Sequence, residues 1–155
     1  MISLIGGHDC TLDAKGRVLF PGALKKQLLP VVSQGFIIKR SMFQNCLELY
    51  PRPVWDKQMK QIGRLNRFIK KNNDFIRLFM AGVREVELDT AGRLQIPRDL
   101  VLFAGLSSDI VLSSQTEVLE IWDKQKYEAL TTPGENLDVE ALAQDVMGNI
   151  PVEDE

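Results

Sequence analysis

A nine-residue stretch with the means to bind an anion occurs twice in this 155-residue chain. The first copy, Asp13–Pro21, reads DAKGRVLFP, and the second, Asp89–Pro97, reads DTAGRLQIP and begins 76 positions later. The aspartate, the glycine, the arginine and the proline keep the same spacing in both copies. Four matched positions with similar apolar neighbours indicate a duplicated unit rather than a chance match.

Each position that the two copies share has a specific role in a tight turn. The aspartate can accept hydrogen bonds from backbone N–H groups two or three residues further on. The glycine allows a positive φ, which other residues resist. The arginine that follows projects from a rigid base, and its planar guanidinium can hold a phosphate, or O6 and N7 of guanine, with two hydrogen bonds. The stretch therefore predicts a loop that presents an arginine to an anion or a base.

The residues alone leave two interpretations of the loops open. In the first, the arginine of each loop binds an anion or a base. In the second, each loop is only a hairpin turn, whose arginine pairs with the neighbouring aspartate. The copies also differ, because Lys15 of the first loop is replaced by Ala91 in the second. We therefore expect the first loop to be the more basic anion site. Lys25, Lys26, Lys39 and Arg40 are further candidates for neutralising phosphates, or are solvated surface residues.

No other group of residues predicts catalysis, a metal site or a cofactor. His8 is the only histidine, and no partner for metal binding or acid–base chemistry stands at a useful spacing. Cys10 and Cys46 form no CxxC pair, and no glycine-rich nucleotide loop is present. Trp55, Trp122 and Tyr50 fit apolar stripes and are expected to be core or subunit-interface anchors. We predict that the chain is not an enzyme and has no small-molecule substrate.

The charges divide the chain into a basic and an acidic part. Residues 1–84 contain 15 Lys and Arg and 5 Asp and Glu, a net charge of +10, whereas residues 85–155 contain 4 and 16, a net charge of −12. A polyanion can therefore be bound locally although the whole chain has a net charge of −2. No secretory signal and no apolar run near the roughly 18 residues of a membrane span are present. We expect a cytoplasmic protein that does not contact a membrane.

The elements that must position the loops are also duplicated. Each half reads as a strand, the Gly-Arg turn, a strand, a helix, two strands and a helix. Leu47–Tyr50 of the first half corresponds to Leu119–Trp122 of the second. Residues 1–72 are predicted to form the first repeat with its helix, and residues 73–132 the second repeat, preceded by a short helix over 74–82. Residues 133–155 are predicted to be an acidic tail with a weak amphipathic helix at 137–147.

These motifs resemble the MraZ family over about residues 1–130. The resemblance rests on the ordered pair of Asp-x-x-Gly-Arg loops with their prolines, on Leu47–Pro51, on Arg77–Gly82 and on Glu120–Trp122. It implies a mixed α/β, mainly β fold, made of tandem pseudo-symmetric AbrB-like (swapped-hairpin) β units with short helices. It also implies a ring-shaped homo-oligomer that associates with the nucleoid.

The resemblance further implies a sequence-specific DNA-binding repressor of the division and cell-wall gene cluster. Such a protein would bind short repeated guanine-rich boxes in double-stranded DNA. The DNA-binding residues would be Lys15, Arg17 and Arg93. The residues that shape the loops would be Asp13, Gly16, Pro21, Asp89, Gly92 and Pro97.

An alternative class is a protein-interaction module. It would be an AbrB-like antitoxin or an oligomeric scaffold that holds a basic partner through its acidic tail. The amphipathic helix predicted at 137–147 favours this alternative.

Overall fold

Strands from the two halves of the chain are interleaved in one antiparallel sheet. A computed structural model describes residues 2–135 and 137–151. The strands are β1 (Gly7–Thr11), β2 (Arg17–Leu19), β3 (Phe36–Arg40), β4 (Leu47–Pro51), β5 (Arg84–Val86), β6 (Arg93–Gln95), β7 (Asp109–Gln115) and β8 (Val118–Asp123). The helices are α1 (Gly22–Leu28), α2 (Arg52–Ile62), α3 (Lys70–Met80), α4 (Arg98–Ala104), α5 (Lys124–Thr131) and α6 (Val139–Met147), and Val32–Gln34 form a 3₁₀ turn.

The sheet has an approximate two-fold symmetry that relates the two repeats. Its strand order is β1-β7-β8-β4-β3-β5, so β1 of the first repeat pairs with β7 of the second, and β5 of the second pairs with β3 of the first. Exchanging each strand for its counterpart in the other repeat (β1 with β5, β3 with β7, β4 with β8) gives the same order, read from the opposite edge of the sheet. Glu48 faces its counterpart Glu120 across β4 and β8, which places the symmetry axis between these strands. The predicted mixed α/β fold of swapped, pseudo-symmetric β units with short helices is confirmed.

A separate two-stranded ribbon, β2 with β6, joins the two Gly-Arg stretches. Val18 lies opposite Leu94 in this ribbon, and both side chains are fully buried. They belong to a core that also contains Phe20, Ile96 and Leu100. Because one face of the ribbon is buried in this way, its alternate residues are directed outward.

A second apolar cluster covers another part of the sheet. It contains Ile37, Tyr50, Trp55 and Phe79. The Trp55 ring contacts Tyr50 edge-on at 5.3 Å and stacks on Phe79 at 5.8 Å between ring centroids. Trp122 is also buried within the chain. Tyr50, Trp55 and Trp122 were expected to be core or subunit-interface anchors, and the structure shows all three buried within the chain.

The helices follow the sequence pattern, with one correction. Gly105 ends α4 in the left-handed region with φ 59°. Helix α3, however, begins at Lys70 and not at residue 74, so Asp74 does not cap it. The side chains of Asn72 and Asn73 donate to the carbonyls of Asn66 and Arg67, which ties a polar stretch into the first helical turn.

The chain divides into two units, Met1–Lys124 and Gln125–Glu155. The second unit contains most of α5 and the whole of α6, whose first turn is capped because the Asp138 carboxylate accepts from the N–H of Ala141. The helix predicted at 137–147 is thus present as Val139–Met147. Residues 136 and 152–155 of the predicted acidic tail lie outside the described residues. Among the helices that the structure describes, none is long and apolar enough to cross a membrane.

Candidate functional site

The first loop, residues 13–17, is closed by a dense set of local hydrogen bonds. The backbone N–H of Asp13 donates to the carbonyl of Arg17 at 2.9 Å, and that of Gly16 donates to the carbonyl of Asp13 at 3.0 Å. One carboxylate oxygen, Oδ1 of Asp13, accepts from the N–H groups of Lys15 at 2.9 Å and Arg17 at 3.0 Å. The aspartate therefore holds the turn from inside, as the sequence predicts.

The second loop, residues 89–93, repeats this geometry bond for bond. Asp89 Oδ1 accepts from the N–H groups of Ala91 and Arg93, each at 2.9 Å. The N–H of Asp89 donates to the carbonyl of Arg93, and the N–H of Gly92 donates to the carbonyl of Asp89, each again at 2.9 Å. Replacement of Lys15 by Ala91 does not change the backbone, because the lysine side chain makes none of these bonds.

The glycines have the backbone conformation that the motif requires. Gly16 has φ +79° and Gly92 has φ +82°, a region that residues with a Cβ rarely adopt. A Cβ on Gly16 would also lie 3.2 Å from the carbonyl oxygen of Ile96. Conformational strain therefore selects glycine at both positions, and crowding by the backbone adds to it at Gly16.

The second oxygen of each aspartate orients the following arginine. Arg17 Nε donates to Asp13 Oδ2, and Arg93 Nε donates to Asp89 Oδ2, each at 2.9 Å. The sequence also allowed the loops to be simple hairpin turns in which the arginine pairs with the aspartate, and this pairing is present. It uses only Nε, however, and no described residue accepts a hydrogen bond from the terminal Nη1 or Nη2 of either arginine. The two guanidinium groups, whose side chains are 30% and 38% exposed, keep their ends available for a ligand.

The pKa values of both aspartates are lowered in the folded loops. For Asp13 the largest cause is the hydrogen bond from the backbone N–H of Arg17, and partial burial opposes it. The backbone N–H of Arg93 has the same effect on the pKa of Asp89. Both carboxylates are therefore charged at neutral pH, and this charge maintains the turn and the direction of the arginine.

The ribbon β2–β6 brings the two loops side by side. Beyond its ends, Ile96 N–H donates to the carbonyl of Gly16 at 2.8 Å, and Phe20 N–H donates to the carbonyl of Gly92 at 3.0 Å. Each turn glycine is thus bonded to the opposite repeat. Arg17 faces Gln95 across the ribbon, and Leu19 faces Arg93. Both arginines therefore lie on the outward face, since Val18 and Leu94 between them are buried.

Gln95 makes the two loops unequal. Its Nε2 donates to the carbonyl of Lys15 at 2.6 Å, so a side chain of the second repeat braces the first loop. The counterpart of Gln95 is Leu19, which is 57% exposed and cannot donate such a bond. Sequence reasoning gave Gln95 no role. Its position in the duplicated stretch is the only sequence signal for a role, because its contact with Lys15 depends on the pairing of β2 with β6.

Pro21 and Pro97 link the ribbon to the helices that flank it. Each occupies the position just before the first helical residue of α1 or α4, with φ −59° and −56° respectively. Their carbonyls accept from the N–H groups of Lys25 and Val101 at 2.9 and 3.0 Å. The prolines thus fix where each helix starts next to a loop.

The four further basic candidates have different surroundings. Lys39 is only 1% exposed. Its Nζ lies 3.6 Å from the Glu48 carboxylate and 4.2 Å from the centre of the Phe79 ring, and burial lowers its pKa. It cannot reach a phosphate, so this expectation is wrong. Arg40 packs on Phe103, whereas Lys26 is exposed and Lys25 is half-buried beside the second loop.

The isolated histidine and the cysteines have no arrangement for chemistry in the structure. His8 Nε2 lies 3.3 Å from the carbonyl oxygen of Ile5. Burial raises the pKa of the Cys10 thiol to about 11 and that of Cys46 to about 12, so both are protonated at neutral pH. Within residues 2–135 and 137–151, no three His, Cys, Asp or Glu side chains cluster as metal ligands would.

Comparisons with known proteins agree with the repeat seen in the fold. A family model described as "MraZ protein, putative antitoxin-like" matches residues 4–78 and again residues 79–148. The two matches cover nearly the whole chain and extend beyond residue 130.

Similar full-length relatives carry the name "Transcriptional regulator MraZ". One from Christiangramia forsetii is 59% identical over 149 residues, covering 96% of each chain. One from Flavobacterium psychrophilum is 52% identical, covering 97% of this chain and 95% of the relative. A more distant one from Bacteroides thetaiotaomicron is 33% identical, covering 83% of each. None of these names describes an enzyme.

Proposed function

The chain belongs to the MraZ family, and from that premise we propose that it is a sequence-specific DNA-binding transcriptional regulator. The names of its relatives support regulation of transcription. The observation that carries the DNA contact is the pair of adjacent loops, each with an arginine held through Nε by an aspartate and free at its terminal nitrogens. Two parallel donors at the end of a fixed guanidinium match O6 and N7 of guanine in the major groove.

The proposed mechanism places the β2–β6 ribbon against the major groove, a mode of recognition used by two-stranded ribbons. Arg17 and Arg93 would each contact a guanine edge, and Lys15 would contact a phosphate. The proposed targets are short repeated guanine-rich boxes upstream of the division and cell-wall gene cluster, where binding would repress transcription. The protein would then be cytoplasmic and associated with the nucleoid.

We further propose that the protein acts as a ring-shaped homo-oligomer. One copy offers few base contacts, whereas a ring presents many copies to repeated boxes, so that linked contacts raise the overall affinity. The division of charge, +10 in residues 1–84 and −12 in residues 85–155, is consistent with unlike surfaces meeting between copies. Light scattering in solution should give a multiple of 17.5 kDa, and a monomeric mass would contradict the ring.

The DNA contact is tested by removing each arginine separately. Arg17→Ala should weaken binding to a duplex from upstream of the gene cluster by about 5- to 150-fold, the equivalent of one bidentate base contact of about 1–3 kcal/mol. Arg93→Ala should weaken it less, since its loop lacks the Gln95 brace. Fluorescence anisotropy on the labelled duplex gives the dissociation constants.

The matched control is Arg64→Ala, which removes an exposed arginine from the turn after α2. This variant should bind with nearly wild-type affinity, and all variants should keep the wild-type mass in solution. Wild-type affinity in the Arg17→Ala protein would overturn the assignment of the first loop.

The alternative function, an antitoxin or interaction scaffold, is favoured by α6. This helix exposes Leu142 and Val146 to 50% and 56% among acidic neighbours, a face suited to a basic apolar partner. A gel-shift with the full chain and with residues 134–155 deleted separates the two functions. The regulator should shift the duplex in both forms. A scaffold would shift neither and would lose its co-purifying partner with the tail.

A further inference from the structure

A lysine from the first repeat lies beside the second loop, where the loop itself has none. A Cβ built on Gly92 would lie 2.8 Å from Cδ and 3.0 Å from Nζ of Lys25. The side chain of Lys25 therefore crosses the turn at the glycine, next to Ala91, which occupies the place of the first loop's lysine. The ammonium group thus lies beside a loop whose own sequence has no lysine at the matching position.

The swapped ribbon explains how Lys25 reaches this place. Phe20 N–H is bonded to the carbonyl of Gly92 at 3.0 Å, and Pro21 starts α1 immediately afterwards. The N–H of Lys25 donates to the carbonyl of Pro21 at 2.9 Å, so the lysine lies on the first turn of the helix. Its position next to the second loop is therefore set by backbone bonds and not by a flexible stem alone.

The ammonium group of Lys25 has no ion-pair partner in the part of the chain that the structure describes. Among the residues that the structure describes, no carboxylate oxygen lies within 4.0 Å of it. Lys25 instead lines an open groove of about 240 Å³ together with Leu29, Val32 and residues 88–92 of the second loop. A half-buried, unpaired cation beside an open groove is suited to a ligand that brings negative charge.

The two repeats place their lysines reciprocally. The first loop has Lys15, and the helix position beside it, 76 residues after Lys25, is Val101, which lines the groove of that loop. The second loop has Ala91, and the helix position beside it is Lys25. Each loop thus has one lysine beside it. In the first loop the lysine belongs to the loop itself, and in the second it belongs to the neighbouring helix.

We propose that Lys25 is the phosphate-binding residue of the second loop and replaces the lysine that this loop lacks. The proposal rests on the proposed DNA-binding function. It makes the second anion site a joint product of both repeats, with Arg93 for the base and Lys25 for the backbone phosphate. The second loop then has a lysine for the phosphate, as the first loop does.

The test measures the salt dependence of DNA binding. Neutralising one phosphate releases counterions, and the slope of log K against log salt changes by about 0.9 for each contact in duplex DNA. Lys25→Met keeps the apolar stem over Gly92 and removes the charge, so the slope should become shallower by about 0.9 for each bound copy. Lys57→Met, which removes an exposed lysine from α2, is the control and should leave the slope unchanged.

A second substitution makes the result specific to position. In Lys25→Met combined with Ala91→Lys, the loop regains the lysine of the first copy, and the wild-type slope should return. Lys25→Gln is measured as well, so that a folding defect of the methionine variant, seen as a lower melting temperature, does not decide the outcome. A wild-type slope in Lys25→Met or Lys25→Gln overturns the proposal, as does an equal loss in Lys57→Met. If the wild-type protein fails to bind the duplex, it is the proposed function that fails.

Discussion

Asp13 and Asp89 each use one carboxylate oxygen for the backbone and the other for the arginine. Oδ1 holds the turn, and Oδ2 holds Nε of the arginine four residues later. Because the same side chain does both, the direction of the guanidinium is coupled to the shape of the loop. Such pre-organisation lowers the entropy lost when the arginine contacts a ligand.

The carboxylate pKa values give a direct measure of this coupling. The pKa of Asp13 is below its ordinary 3.8, so the loop's stabilisation is complete above that value and is lost as the pH falls through the lower folded pKa. Carboxyl ¹³C shifts followed against pH should show both Asp13 and Asp89 titrating below an unstructured aspartate.

Arg17→Met tests the side-chain part of the effect. The pKa of Asp13 should rise only part of the way towards 3.8, because the larger cause, the backbone N–H of residue 17, remains. Asp89 is the internal control and should titrate as before. An unchanged Asp13 titration would show that the arginine does not contact the carboxylate in solution.

At the scale of elements, the β2–β6 ribbon depends on two side chains that meet on its buried face. Leu94→Ala should destabilise the protein by about 2–5 kcal/mol, since Leu94 is fully buried against the core and the cavity left behind collapses only partly. Chemical denaturation gives the free energy of unfolding. Leu102→Ala on α4 is the control, because Leu102 is 68% exposed, and it should change that energy by no more than about 0.5 kcal/mol.

Much of this element structure could be predicted from the sequence. The duplicated acid and glycine predicted both turns, because local hydrogen bonds and backbone conformation decide these features. The start of α3 was wrong by four residues, since Asn72 and Asn73 find carbonyl partners in a preceding turn that has no sequence signature. Burial of Lys39 was also missed, because a lone Lys-Arg pair does not reveal the glutamate and aromatic ring that cover it.

The arrangement of the site was less predictable than its residues. Asp13, Arg17, Asp89 and Arg93 could be selected by their repeat alone. The contacts of Gln95 and Lys25 cross from one repeat to the other, and the partners of the Gln95–Lys15 bond are 80 residues apart in the sequence. No local pattern predicts such contacts, because they depend on which strands pair.

At the scale of the molecule, most strand pairings join the two repeats. β1–β7, β2–β6, β3–β5 and β4–β8 all cross between halves. Fragments 1–65 and 66–155, separated in the turn between α2 and α3, should therefore each lack a cooperative unfolding transition when expressed alone. Co-expressed, they should associate and melt as one species, as followed by circular dichroism. A cooperative transition in either fragment by itself would contradict this account.

The swapped ribbon also has a genetic consequence. In a symmetric pair of identical single-repeat chains, one codon change would alter both loops together, and any contact across the axis would change twice. Here the two loops and the residues that brace them are encoded separately. Lys15 and Ala91, Gln95 and Leu19, and Lys25 and Val101 are three places where the copies have already diverged. Each half of the ribbon is thus free to evolve a preference of its own, which under the proposed function would be for one half of an asymmetric DNA sequence.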